Sequence, residues 1–183
     1  MSFSTDIIQA RFHFHNLLHG TIMSTNPSLF SPETFLDATT TEESVKRPPM
    51  PAGRDFAATI KEVKSRTWQG KQDPTKSGIA VDVKLEFDLT AYPDVRATVG
   101  GLDKVLISDS IMLDLTEGGA IDYSPGKNGR LRMYREACGL NVAGQAFSIR
   151  MFEGRLVRSR IKHTPNKEVP GEFYENIEAV AKV

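Results

Sequence analysis

Alternation of apolar and polar residues is the strongest signal in this chain, and it peaks at residues 79–89, "IAVDVKLEFDL". Ile79, Val81, Val83, Leu85, Phe87 and Leu89 fall on one face, with Ala80, Asp82, Lys84, Glu86 and Asp88 on the other. A period of two sustained this long predicts a strand with one buried and one solvated side. The same rhythm runs through residues 54–63, where Phe56, Ala58 and Ile60 share a side. It returns in 103–115, where Val105 and Ile107 stay in phase with Ile111, Leu113 and Leu115, so no bulge is required there. Residues 155–163, "RLVRSRIKH", turn Val157 and Ile161 one way and Arg158, Arg160 and Lys162 the other, and "YENIEAVAKV" supplies a last strand. Between the third and fourth strands the period changes. In "SPGKNGRLRMYREACGLN", Leu131, Tyr134 and Cys138 recur at helical spacing and Gly139 provides a stop. "AFSIRMFEG", residues 146–154, reads as a short strand or a packing segment.

Three strands, a helix and two strands is the order of a five-stranded OB-like barrel, whose helix sits between strands three and four. The expected fold is therefore mainly β. An SH3-like barrel or a small sandwich stays open, because strand order does not fix pairing. Two long connections, 66–78 and 164–173, fall where the OB fold puts its binding loops.

The first 50 residues follow neither period. Residues 23–51 are rich in Ser, Thr and Pro and end in a Pro cluster, which predicts a flexible leader over 1–50 and a barrel domain over 51–183. "SPETFLD" is expected to form one helical turn, with Ser31 as N-cap and Pro32 at the first helical position. Met23 opens a stretch that reads as a natural start, so residues 1–22 are expected to derive from an upstream start.

Composition narrows the class. No apolar run reaches 18 residues, so no membrane span is expected, and residues 7–22 lack a clean signal-peptide core. The single cysteine, Cys138, rules out an internal disulfide and suits a reducing cytoplasm. The formal net charge of zero averages unlike segments. Nine basic residues between Lys127 and Lys162 face only Glu136 and Glu153, whereas Glu33, Asp37, Glu42 and Glu43 are the charges of residues 24–45. A basic end behind an acidic leader suggests a surface for polyanions.

Catalytic candidates are few. His13, His15 and His19 lie in the leader; His15 and His19 have the i, i+4 spacing of a metal pair, but no nearby Cys or carboxylate completes a site. His163 reads as a surface or phosphate-contacting group. Asp82, Glu86 and Asp88 share a strand face that would hold magnesium only if they converged; a solvated face balanced by Lys84 is the plainer reading. Glu62-Val63-Lys64 matches the acid-x-Lys element of some nucleases, but Pro93-Asp94 comes after it instead of before. "SPGKNG" lacks the spacing and ending of a P-loop, and Cys138 reads as a core thiol. Neither a cofactor nor a catalytic residue is expected.

What remains is a binding surface. Single-stranded nucleic acid is held by cations along a groove and by flat side chains on which bases stack. Trp68, the only tryptophan, stands with Arg66, Lys71 and Lys76 in the first long connection. Arg158, Arg160 and Lys162 line strand four, and Phe173 and Tyr174 end the second connection near Lys167. The acidic outer face of strand two should be avoided by the ligand.

On "PMPAGRDFAATIKEVK", "TKSGIAVDVKLEFDL", "LRMYREACGLN" and "GRLVRSRIKH" followed by "YENIEAV", the chain resembles phage-encoded single-stranded DNA-binding proteins with an OB fold over residues 51–183. The resemblance implies sequence-independent binding of exposed strands in replication or recombination, in the host cytoplasm, without catalysis. Bacterial proteins of like function end in an acidic tail with a terminal Phe; this chain ends in "AVAKV", so the acidic leader, with Phe30, Phe35 and Leu36, is expected to recruit replication proteins instead. RNA as ligand and an oligomeric state stay open. The competing readings are an assembly β-barrel that docks onto other proteins and a metal-dependent nuclease.

Overall fold

The computed structural model describes residues 46–183 and the isolated positions 36, 39 and 41. The expected start at Met23, the leader histidines, and Phe30 and Phe35 lie outside the described residues, as does the turn at 31–37 apart from Leu36, which is helical and exposed.

Five antiparallel strands form one sheet in the order β3-β2-β1-β4-β5: β1 (Asp55–Gln69), β2 (Ser77–Asp88), β3 (Lys104–Met112), β4 (Leu156–Pro165) and β5 (Phe173–Ala181). Helix α1 (Pro93–Thr98) follows β2, and α2 (Gly129–Ala137) with a 3-10 turn (Ile149–Phe152) connects β3 to β4. The fold is thus mainly β, with one helix of more than six residues among the described residues, as the alternating patterns imply. β2 and β3 pair without a register shift from Ala80↔Met112 to Asp88↔Lys104, so the absence of a bulge in β3 follows the sequence.

The first strand departs from expectation. It runs to Gln69, six residues past the expected end, and pairs with β2 down to Gln69↔Ser77. The connection is only Gly70–Lys76, and Arg66 and Trp68 are strand residues. A β-bulge explains the misreading: the register shifts between Ile60 and Glu62, leaving Lys61 as the extra residue. Before it Phe56, Ala58 and Ile60 point inward; after it Glu62 faces Lys84 and Lys64 faces Asp82 on the outer side. Ser65 and Thr67 take the alternate positions but are exposed, because the hairpin stem runs beyond the core. Apolar alternation stops there while hydrogen bonding continues. α1 also escapes a reading by strand period; Pro93 opens it, and the preceding Tyr92 packs edge-on against Phe56 at 5.3 Å.

The core lies on the inward faces of all five strands. Phe56, Ile60, Leu85, Phe87, Ile111 and Ile161 are completely buried. α2 covers them with Leu131, Tyr134 and Ala137, while Cys138 caps the helix and is buried in the same cluster. Gly139 then takes φ +69°, a left-handed conformation that favours glycine and ends the helix. The 3-10 turn adds Phe152, whose ring centroid lies 5.8 Å from that of Tyr134.

The sheet is not closed by pairing: β3 and β5 occupy its two edges. They still approach within 8 Å, Cα to Cα. Arg130 of α2 crosses between them. Its Nε and Nη2 donate to Oδ2 of Asp109 on β3 at 2.9 and 2.7 Å, and its Nη1 donates to the carbonyl of Glu178 on β5 at 2.9 Å. Tyr134 Oη donates to the same Asp109 oxygen at 2.8 Å. A helix side chain thus bridges the two edges where a fifth strand pairing, β3 with β5, would close the sheet.

Residues just before β1 pack onto the sheet as well. Met50, assigned to the leader by its Pro-rich surroundings, is completely buried. Its amide donates to Glu175 and its carbonyl accepts from His163 Nε2 at 2.7 Å. Residues 46–49 run on beside β5, where Lys46 pairs with Glu172 at 2.7 Å and Arg47 with Glu175.

Candidate nucleic-acid interface

The ten residues singled out from sequence fall into two groups. The first rides on the β1–β2 hairpin. Arg66 projects from the outer face of β1, where its Nε donates to Asp82 at 2.8 Å and its Nη2 to Ser110 at 3.3 Å, so its charge is already matched. Trp68 lies opposite Gly78 and packs directly over it; a β-carbon there would come within 2.9 Å of the indole Nε1. The indole is half-buried on its own hairpin, neither a plug in the core nor a free loop side chain, and its Nε1 is buried with no partner among the described residues. Lys76 reaches Asp73 at 3.6 Å, while Lys71 at the tip is exposed with no ion pair among the described residues.

The second group rides on β4 and β5. Arg158, Arg160 and Lys162 all point outward and are exposed, as their alternation with Val157, Ser159 and Ile161 requires. Arg160 makes a two-pronged bond to Asp55 at 2.7 and 3.2 Å; that contact draws the Asp55 carboxyl below its usual range and raises the guanidinium above its own. Arg158 sits between Ala57 and Ala181, and Lys162 lies opposite Asn176; neither forms an ion pair among the described residues. Phe173 and Tyr174 expose 52% and 53% of their surface, enough for a base to stack. Phe173 leans on the His163 ring at 5.9 Å. Lys167 is exposed in the β4–β5 turn.

Geometry brings together Lys162, Phe173 and Tyr174 of the second group, and not Arg158, Arg160 or Lys167. Lys162, Tyr174, Asn176 and Arg130 line one depression of about 410 Å³. Tyr174 and Asn176 also line a larger groove of about 760 Å³, walled by Phe173, Leu106, Ser108 and Arg47. The two groups stay apart: Trp68 lies nine residues beyond the last β1–β4 pair, Thr59↔Leu156, up to about 30 Å along the strand.

The outer face of β1–β3 is internally neutralised. Glu62 receives Lys64 at 2.6 Å and Lys84 at 2.8 Å, and those bonds draw its carboxyl down to about 2. Glu86 is held by Lys104 at 3.1 Å and Lys61 at 3.3 Å, and Asp88 by the amide and hydroxyl of Thr90. Asp82 is pushed up by partial burial but drawn down further by Ser110 and Arg66. Asp94, from the nuclease-like element, pairs with Arg54 at 2.6 Å. Each carboxylate has its own partner, and among the described residues no three of His, Cys, Asp and Glu gather into a metal cluster.

Sequence reasoning missed several groove residues. Leu106 was legible: "VLI" at 105–107 puts three apolar residues in an alternating strand, so one must face outward, and Leu106 is 55% exposed. Arg47 and Arg130 carry no local signal, since their roles depend on contacts more than 20 residues away. His163, expected at the surface or on a phosphate, is instead committed to the Met50 carbonyl.

Among the described residues no helix is long and apolar enough to cross a membrane. No protein-family model matches the chain, and no curated protein matches it either.

Proposed function

We propose that the protein binds single-stranded DNA without regard to sequence, as an OB-like accessory of phage replication or recombination. The observation that carries this reading is the outward face of β4 and β5. There Lys162, without a carboxylate partner among the described residues, lines a depression of about 410 Å³ together with the exposed ring of Tyr174, which also lines the groove of about 760 Å³ with Phe173; Arg158, likewise unpaired among the described residues, is exposed further along β4. Phosphates need unmatched cations and bases need free ring surface; this face supplies both. The OB-like part of the reading rests on the strand order with a helix between β3 and β4, and on Arg130 spanning the two sheet edges. Residues 46–183 carry 22 Lys and Arg against 18 Asp and Glu, a net charge of +4 that favours approach of a polyanion.

The test is fluorescence anisotropy of a labelled oligo-dT with the full chain at several salt concentrations. Log affinity should fall with log salt at about −0.7 per phosphate contacted. Replacing Arg158 and Lys162 together by Gln should flatten that slope by about 1.4, and Tyr174→Ala should cost about 1–3 kcal/mol of binding. Quenching of Trp68 in the same titration reports whether the strand also reaches the hairpin. Affinity that is absent or insensitive to salt refutes the reading. An oligo-U competitor separates DNA from RNA preference.

One observation favours a second reading, docking onto another protein: Leu106 and Phe173 flank the groove with more than half of their surface exposed. It calls for concentration-dependent association in sedimentation together with salt-insensitive, weak oligonucleotide binding.

A further inference from the structure

We propose that a cavity beside α2 is a phosphate-binding site, separate from the β4–β5 face and independent of the strand-binding reading. The cavity is about 430 Å³, within the ~300–1,000 Å³ that ligand pockets occupy. The "SPGKNG" loop and α2 build it, and its polar lining is Ser124, Lys127, Asn128, Arg132, Arg135 and Asn141. Three cations line it and no carboxylate does, whereas both grooves at the β3–β5 edges include carboxylates in their walls.

Arg135 provides the second observation. Its guanidinium lies 4.4 Å from the Phe147 ring centroid and 5.3 Å from that of Tyr123, which fixes its plane. Among the described residues its one hydrogen bond runs from Nη2 to the Leu140 carbonyl at 3.3 Å, and its Nε is buried with no partner. A guanidinium carries five donors, so Arg135 keeps several for an anion in the cavity. The other two cations are loosely held: Lys127 is 3.7 Å from Asp114 and Arg132 is 3.6 Å from Glu136, which also accepts from Asn141 at 3.3 Å. Two guanidiniums, an ammonium and the Asn141 amide suit the several oxygens of a phosphate group, whose fork-like recognition is an arginine speciality.

The experiment is thermal unfolding of the full chain at fixed ionic strength, titrated with inorganic phosphate, thymidine 5′-monophosphate, the diester thymidylyl-thymidine, or thymidine. At ten times its dissociation constant a bound phosphate should raise the Tm by about 3–5 °C. Thymidine should leave it unchanged. The rise should vanish when Lys127 and Arg132, both on the surface, are replaced by Gln, and should persist in Lys162→Gln. A rise with the diester as well assigns a nucleic-acid backbone as the source; a rise with the monoesters alone assigns a free or terminal phosphate. No rise, or an equal rise in the Lys127→Gln/Arg132→Gln protein, overturns the site.

Discussion

A β-carbon at position 78 would sit 2.9 Å from Nε1 and 3.3 Å from Cε2 of Trp68. Glycine is thus needed there for space and not for backbone freedom. Gly78→Ala should expel the indole and shift its emission to the red, with stability changing by less than about 1 kcal/mol as the lower unfolded-state entropy of Ala offsets the lost contact. An unchanged spectrum would show that the indole does not pack on this residue. Burial drives a second effect. It pushes the Cys138 thiol from its ordinary 9 up to about 11, and burial followed by the neighbouring Asp109 drives the Tyr134 hydroxyl higher still. Both groups hold their protons more tightly when folded. The thiol's contribution is therefore complete below pH 9 and is lost as the pH rises toward 11, while the hydroxyl's is complete below pH 10 and fades only above it. Urea midpoints measured at pH 8, 9.5 and 10.5 should fall in that order, and less steeply in Cys138→Val. Glu62 acts with the opposite sign: drawn from 4.5 to about 2, its contribution is present above 4.5 and fades as the pH falls toward 2.

Among the elements, α2 has the widest reach because one of its side chains holds both sheet edges. Arg130→Met strands Asp109, whose side chain is 12% exposed, and releases the Glu178 carbonyl. The cost should be about 2–3 kcal/mol, less than the ~3–5 for breaking a fully buried pair because Arg130 is 30% exposed. Denaturant titration should show a lower midpoint with an unchanged m-value. α2 itself was readable from Leu131, Tyr134 and Cys138, and β2 from its strict alternation, since in both a buried face writes its period into the sequence. The far half of β1 was not readable. Ser65 and Thr67 alternate with charges but meet no core, so the sequence there resembles a loop. The candidate face divides in the same way. Arg158, Arg160 and Lys162 were legible from their alternation with Val157 and Ile161. That Asp55 claims Arg160 and Asp82 claims Arg66 depends on strand pairing, which no local pattern encodes.

For the molecule as a whole, charge is sorted by strand. Lysines on the β1–β3 face are committed to carboxylates, and cations on β4 are in part free. Lys64→Gln and Lys84→Gln should leave oligo-dT affinity within about twofold, near the limit expected for exposed, paired charges, whereas Arg158→Gln should not; anisotropy distinguishes them. The folded unit also begins earlier than its composition suggests. Met50→Ala in the full chain should cost about 2–5 kcal/mol, a core-sized loss from a residue set among prolines. A calorimetric ΔΔG under about 1 kcal/mol would return Met50 to the linker.

The extra residue at Lys61 governs how this protein tolerates changes in length. Phe56, Ala58 and Ile60 are even-numbered and face inward, and Trp68, also even-numbered, faces out; the difference in parity is created at one position. Deleting Lys61 alone would remove the bulge and leave Glu62, Val63, Lys64 and Trp68 on their present faces, because Glu62 would then follow Ile60 in regular alternation. Deleting one residue between Lys61 and the turn would instead carry the rest of the strand to the opposite face, whereas deleting two would merely shorten the arm. Beyond Lys61, related chains should therefore vary the length of this hairpin in steps of two, while at Lys61 a single deletion is tolerated.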